Sequence, residues 1–287
     1  MLYPHTSALI VEGGAMRGIF ASGVLDAFME SHYYPFDFVM GVSAGATNLV
    51  SYLSEQSRRS HRIITELACS PRFLDPLRFV RGGDLVDIGW LWRASRHRFP
   101  LDLDTFCARD TPFYAVTTDV ASGEAIYLQV RPENMDEVLT ATCSLPVVQR
   151  ETPCVDGRPM ADGGISDSIP MIEAYRRGAR RITVILSEPW GYRKKPPRFC
   201  WMVRVLLKTQ PALAQAMLVR DRAYNQALDF IANPPADCEI EVIAPPADFM
   251  VSRFTQDPTK LESGYLQGYW LGCQSLLRAR REARAVA

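Results

Sequence analysis

Neither sign of charge is in excess in this chain: 32 Lys and Arg stand against 32 Asp and Glu. A global basic field for nucleic acid is therefore absent, and only a local patch remains open. No two cysteines form a CxxC pair. The thiols at 69, 107, 143, 154, 200, 238 and 273 are odd in number and irregularly spaced, which supports neither a Cys-built zinc site nor a disulfide framework. Scattered single thiols fit a reducing compartment. Long apolar runs are missing too, and a run such as Ile182 to Leu186 is too short to span a bilayer. The first residues hold no Lys or Arg ahead of their apolar run, which soon meets Glu12. That argues against a signal peptide, and the expectation is a cytoplasmic protein with room for contact at the inner face of the membrane. Histidine is scarce: His5, His32, His61 and His97 are the four, and none follows residue 97.

What is present is ordinary globular composition over 287 residues, 47% hydrophobic and 22% charged. That is enough to bury a sizeable core and excludes disorder as a whole-chain reading. Ser7 to Val11 and Phe36 to Met40 read as buried strands, each followed by a glycine turn and a helix, Ile19 to Ser31 and Ala46 to Glu55. This order implies an α/β fold with a parallel sheet covered by helices. Residues 56–110 break the rhythm. They are rich in Arg, interrupted by Pro71, Pro76 and Pro100, and read as an insertion or cap. Further strands are expected at Phe113 to Thr118, Ala125 to Val130, Arg181 to Leu186 and Cys238 to Ile243. Helices are expected at Glu133 to Thr142, Leu213 to Ile231 and residues 258–284, the last ending in the basic stretch Arg278 to Arg284. The whole reads as one domain with a core over about 7–187, the cap, and a C-terminal extension over about 199–287.

The most informative segment is Gly41-Val42-Ser43-Ala44-Gly45, between an apolar strand and a helix. A nucleophile elbow needs that setting: a strained turn presents the serine, and glycines relieve crowding around it. The second segment, Gly13-Gly14-Ala15-Met16-Arg17-Gly18, also joins a strand to a helix. It lacks the lysine of a phosphate loop, because Ile19 and Phe20 follow Gly18, and Ala15 stands where a dinucleotide fingerprint wants its middle glycine. An oxyanion hole needs only N–H donors, which such a turn supplies. Arg17 either holds the loop or assists the anion.

A histidine base late in the chain is unavailable, so Ser43 is activated by another group or is not a nucleophile. Asp162-Gly163-Gly164 offers a carboxylate at the end of the apolar Met160-Ala161. An Asp hydrogen-bonded to Ser43 takes its proton as the oxyanion forms, provided partial desolvation raises a carboxylate whose ordinary pKa is ~3.9.

Together, G-G-x-x-R-G, G-x-S-x-G and a distant D-G-G resemble the patatin-like phospholipase family over about residues 7–187. Ser168-Ile169-Pro170 through Gly178-Ala179 resembles the family's segment after the aspartate, whereas Ala15 stands where the family usually has a third glycine. The resemblance implies a three-layer α/β/α sandwich with a mostly parallel central sheet and a Ser-Asp dyad that cleaves acyl esters of lipids. By it Ser43 is the nucleophile, Asp162 the proton acceptor, and the backbone of Gly13 to Gly18 the oxyanion hole. Gly41, Gly45, Gly163 and Gly164 shape the two turns. No metal or organic cofactor is implied, and the partner is a lipid or other acyl ester. An acyltransferase on the same dyad and a silent lipid-binding module are the rival readings. Trp90 to Phe99, mixing aromatics with Arg93, Arg96 and Arg98, reads equally as an interfacial cap or as a solvated loop with buried Trp anchors. Phe249 to Val251 and Phe254 read as core before acyl pocket.

Overall fold

The computed structural model describes residues 6–146, 148–149 and 151–286, and side chains as far as Arg281. His5 and the side chain of Arg284 lie outside the described residues. A strand with no polar alternation needs cover on both faces. The first strand, β1 (Thr6–Val11), meets that condition, with Ala8, Leu9, Ile10 and Val11 all fully buried. It lies at the middle of the sheet, pairing in parallel with β2 (Phe38–Val42) on one side and β7 (Ala179–Ile185) on the other. Outward from these, β3 (Phe113–Asp119) runs parallel to β2, and β8 (Glu239–Ile243) runs parallel to β7. The sheet order is β5-β6-β3-β2-β1-β7-β8, with β4 (Ala125–Gln129) antiparallel on the free edge of β3. The remaining strands, β5 (Cys154–Val155) and β6 (Arg158–Asp162), are antiparallel to each other, and β6 is antiparallel to β3.

Successive residues of β1 face opposite layers. Leu9 and Val11 pack with Phe20, Val24 and Phe28 of α1 (Gly18–Glu30) and Leu49 of α2 (Ala44–Leu53). Ala8 and Ile10 pack with Ala174 of α8 (Met171–Arg176) and Leu228 and Ile231 of α10 (Pro211–Ala232). The result is the expected three-layer arrangement with a mostly parallel sheet. The long α11 (Pro258–Val286) lies over α1. Their backbones approach so closely that a Cβ on Gly268 would stand 2.0 Å from the Phe20 carbonyl oxygen.

Residues 56–110 fold into short helices: α3 (Arg59–Arg62), a π-helical turn at Ile63–Ala68, α4 (Pro76–Val80), α5 (Ile88–Arg98) and α6 (Leu103–Ala108). Asp75, Asp87 and Asp102 each cap a helix by accepting from backbone N–H groups of its first turn. The chain then forms α7 (Met135–Cys143), and α9 (Cys200–Leu206) precedes α10. Trp90 to Arg98 is thus helical and not a loop, and Phe99 follows the helix end. Phe99 is buried, Trp92 packs on the main core, and Arg96 and Arg98 pair with Asp136 and Glu66.

Candidate active site

The chain leaves β2 at Val42 and enters α2 at Ala44, with Ser43 alone between them at φ 51°, ψ −124°. A non-glycine residue there is strained, and only firm packing on both sides holds it. Its N–H donates to Thr142 Oγ1 at 2.9 Å, and that hydroxyl donates to the Val116 carbonyl at 2.5 Å. The flanking glycines allow the crowding. A Cβ on Gly45 would stand 2.3 Å from the Val11 carbonyl oxygen, so α2 can start against the end of β1 only with no side chain there.

Asp162 ends β6 and is almost fully buried. Its Oδ1 accepts from Gly164 N–H at 2.7 Å, opening a 3₁₀ turn at Gly163–Ile165. A Cβ on Gly163 would meet the Val116 carbonyl oxygen at 2.1 Å, so the turn lies flat on β3. The Ser43 side chain lies close enough to the Asp162 carboxylate to favour its charged form. Burial pushes this acid above the ordinary carboxylate range, while Arg220, Ser43, the Gly164 N–H and Arg253 pull it back.

The loop Gly13–Gly18 abuts the elbow. A Cβ on Gly13 would stand 3.0 Å from Ser43 Cβ, and Asn48 Nδ2 holds the Gly18 carbonyl at 2.7 Å. Arg17 and Gly18 donate their N–H groups within their own turn, and Met16 makes a 3.5 Å contact to the Arg253 carbonyl. Among the described residues, the N–H groups of Gly13, Gly14 and Ala15 have no acceptor. Ala15 sits at φ 50°, the left-handed region where a glycine is at ease. The Arg17 guanidinium pairs with Glu188 and so ties the loop to the segment after β7.

A cavity of about 140 Å³ opens from Ser43. Its walls are apolar: Met16, Ile63, Ile64, Phe73, Leu91, Trp92, Leu145 and Phe254, with Cys143 and Arg253 near the serine. Residues 56–110 supply much of this wall. Near Asp162 lies a group of charged side chains the sequence did not single out as a site. Glu12, buried at the end of β1, accepts from Ser187 N–H at 2.7 Å and from the Tyr224 hydroxyl at 3.1 Å. Lys194 lies 4.0 Å over the Tyr224 ring, and Arg220 Nη2 would be 3.1 Å from a Cβ on Gly164. Burial and the nearby Arg220 and Arg253 push the Lys194 ammonium down to about 7. His61, by contrast, pairs with Glu262 on the surface of α11, away from the serine's cavity.

A serine on such an elbow, in a three-layer α/β/α core, marks a hydrolase class that works on esters. Comparison with known proteins narrows the class. Residues 9–175 match the family described as patatin-like phospholipase, and the chain belongs to that family of lipid hydrolases. Residues 210–281 match a second family, a domain of unknown function. The chain is 36% identical over 249 residues to the protein YjjU of Escherichia coli (strain K12), covering 85% of this chain and 69% of that one. It is 28% identical over 171 residues to the NTE family protein Rv1063c of Mycobacterium tuberculosis, covering 57% of this chain and 44% of that one. Among solved structures, VipD from Legionella pneumophila is similar at 14% identity with a TM-score of 0.47, over 94% of this chain and 66% of that one. No described helix is long and apolar enough to cross a membrane.

Proposed function

We propose that the protein is a serine acyl-ester hydrolase in which Ser43 is the nucleophile and Asp162 its base. The observation that supports this most is the strand register that sets the Ser43 side chain beside a buried carboxylate on which it acts directly, with no imidazole between them. Asp162 accepts the hydroxyl proton as Ser43 Oγ bonds to the ester carbonyl carbon. The oxyanion takes the free N–H groups at Gly14 and Ala15, where negative charge also meets the start of a helical turn. The C–O bond breaks, the alcohol leaves with the proton from Asp162, and an acyl-Ser43 remains. Water then gives its proton to Asp162 and attacks the acyl carbon, releasing the acid and restoring the serine. The apolar cavity at Ser43 suits an acyl chain. It is similar in volume to cavities of ~150 Å³ that take a benzene-sized ligand.

The test is hydrolysis of lipid and short-chain esters by the wild type, Ser43→Ala and Asp162→Asn. Each variant is expected to lose at least a thousandfold, because nucleophile and base act as a unit. Near wild-type turnover by either ends the proposal.

The segment around α9 supports contact with a membrane surface. Phe199, Trp201, Val205 and Leu206 are all more than half exposed, and Lys195, Arg198, Arg204 and Lys208 surround them in solvent. No acid stands between Glu188 and Asp221 in a chain whose charges otherwise balance. Apolar side chains ringed by cations match the acyl and headgroup layers of an anionic bilayer.

A further inference from the structure

Buried polar atoms without partners are rare in folded proteins, and each one calls for a ligand or a physical reason. Eight such side-chain atoms occur among the described residues, and four belong to one cluster: Arg17 Nε and Nη2, Lys194 Nζ and Arg220 Nε. All four are donors on cations. The acids nearby are already engaged. Glu188 holds Arg17 Nη1, Glu12 takes the Ser187 N–H and the Tyr224 hydroxyl, and Asp162 takes the Gly164 N–H. The cations also face one another. Lys194 feels Arg220, Arg253 and Arg17 against the single acid Glu12, and Arg220 feels Arg253 beside Asp162 and Glu12. Burying like charges together with unused donors is costly unless an anion brings oxygens to them.

We infer that Arg17, Lys194, Arg220 and Arg253 form a binding site for a phosphate group beside the catalytic dyad. A tetrahedral dianion or diester offers several acceptor oxygens within one compact group, which suits unpartnered donors on three neighbouring cations. Guanidinium groups recognise it through paired N–H donors, and the lysine supplies a point charge. Arg17 is more than nine-tenths buried, so its free Nε and Nη2 are turned inward and not toward bulk water. Arg253 belongs to both regions, since it also lines the cavity that opens from Ser43. A phosphate held here stands within a headgroup's length of an ester at the serine. That assignment of the phosphate to a substrate lipid rests on the function proposed above, while the anion site itself does not.

The experiment is calorimetric titration of inorganic phosphate into the full chain, in chloride buffer, with wild type, Lys194→Met, Lys194→Arg and Ser43→Ala. Saturable binding of one phosphate is expected, weakened at least tenfold in Lys194→Met and largely kept in Lys194→Arg. Without phosphate, Lys194→Met is expected to melt at the wild-type temperature or higher, because it removes a buried ammonium that donates no hydrogen bond and sits among other cations. Lost binding in an intact or stabilised fold is an outcome that misfolding does not mimic. Absence of saturable phosphate binding, or an unchanged affinity in Lys194→Met, overturns the site. Two further ligands for Ser43→Ala separate the sources: a short-chain phosphatidic acid and the matching neutral diacylglycerol. Phosphatidic acid binding tighter than phosphate and displacing it, with the neutral lipid failing to do so, supports a headgroup site. Phosphate binding that phosphatidic acid does not displace overturns the headgroup assignment and leaves a site for free phosphate. Full ester hydrolysis by Ser43→Ala sinks the dyad without touching the phosphate measurement.

Discussion

Asp162 takes up the edge of β3 at the point where Val42 leaves it. Val42 faces Val116, and Asp162 faces Thr117, the next residue along. Both lie on the same edge, because β4 occupies the other edge across Tyr114 to Thr118. A parallel strand thus ends and an antiparallel one begins at a single seam, and the residue after the first meets the last residue of the second. The separation of Ser43 from Asp162 is therefore set by backbone register and not by side-chain reach. A slip of one residue in β6 would turn the carboxylate to the opposite face of the sheet.

Thr142 locks that seam, since its hydroxyl accepts from Ser43 N–H and donates to the Val116 carbonyl. Thr142→Val keeps the shape and takes this partner from the part-buried Ser43 N–H and the buried Val116 carbonyl, at a cost of about 1–3 kcal/mol in all. The expected result is a lower urea midpoint with unchanged m-value, and slower labelling of Ser43 by a fluorophosphonate. Thr142→Ser, which retains the hydroxyl, is expected to restore most of both. Equal labelling rates for wild type and Thr142→Val would mean the elbow holds its shape without this bridge.

Ala15 is held at φ 50°, which costs a residue with a Cβ about 1–2 kcal/mol. Glycine avoids that strain, at an entropic cost of roughly 0.5–1 kcal/mol in the unfolded chain. Ala15→Gly is therefore expected to melt no lower than the wild type and to hydrolyse esters at least as fast. Ala15→Val, β-branched in the same conformation, is expected to lose both stability and turnover. Measured kcat/KM and melting temperatures for the pair check the reading, and a large loss in Ala15→Gly would contradict it.

Much of this arrangement is legible in the residues, for identifiable reasons. The buried parallel strands announce themselves as unbroken apolar runs, and Ser43 by glycines at the spacing a tight turn requires. Other parts carry no such mark. The β5–β6 hairpin turns through Asp156-Gly157, both at positive φ, an Asp-Gly turn whose flanking strands are too short to show alternation. Thr142, Lys194, Arg220 and Arg253 are single residues far apart in sequence that only the tertiary fold gathers. The apolar positions of α9 are divided between two faces. Val203 and Leu207 pack inward against Leu213, while Trp201 and Val205 point out, so no one-sided stripe appears.

Arg220 acts on Asp162 by favouring its charged form, against the burial that raises it. Without the guanidinium the carboxyl rises further, and a larger share is protonated and unable to act as base at mildly acidic pH. Arg220→Gln is expected to shift the acid limb of the kcat/KM profile to higher pH, measured on a short ester that carries no phosphate. A limb that stays in place would disconnect Arg220 from the base.

Asp26 lies under α11, accepting from the Tyr265 hydroxyl at 2.8 Å and from Arg58 N–H at 3.1 Å. Burial pushes its pKa up to about 6. In the unfolded chain it titrates near ~3.9, so the folded state binds a proton more readily between these values. Its contribution is present in full below about pH 4 and is lost as pH rises through about 6, an effect on the order of 3 kcal/mol. Asp26→Asn mimics the protonated acid. The stability of this variant relative to the wild type is expected to increase between pH 4.5 and pH 7, as read by urea unfolding. A gap that does not change with pH would show that Asp26 keeps an ordinary pKa.

The exposed face of α9 makes a prediction of different kind, because its effect depends on the lipid. Trp201 and Val205 offer apolar area, and Lys195, Arg198, Arg204 and Lys208 offer charge worth about 1 kcal/mol each near an anionic surface. Vesicles containing phosphatidylglycerol are expected to sediment the protein, and vesicles of phosphatidylcholine alone much less. Raising the salt shortens the Debye length to ~3 Å at 1 M and should release the charge-driven part. Trp201→Ser with Val205→Ser removes the apolar anchor without touching the dyad or its cavity. This double variant is expected to lose vesicle binding, and turnover of vesicle lipid with it, while a short soluble ester is cleaved as by the wild type. If both substrates fall together, the outer face of α9 supports the fold and not the lipid contact. If neither falls, the protein meets its lipid through another surface.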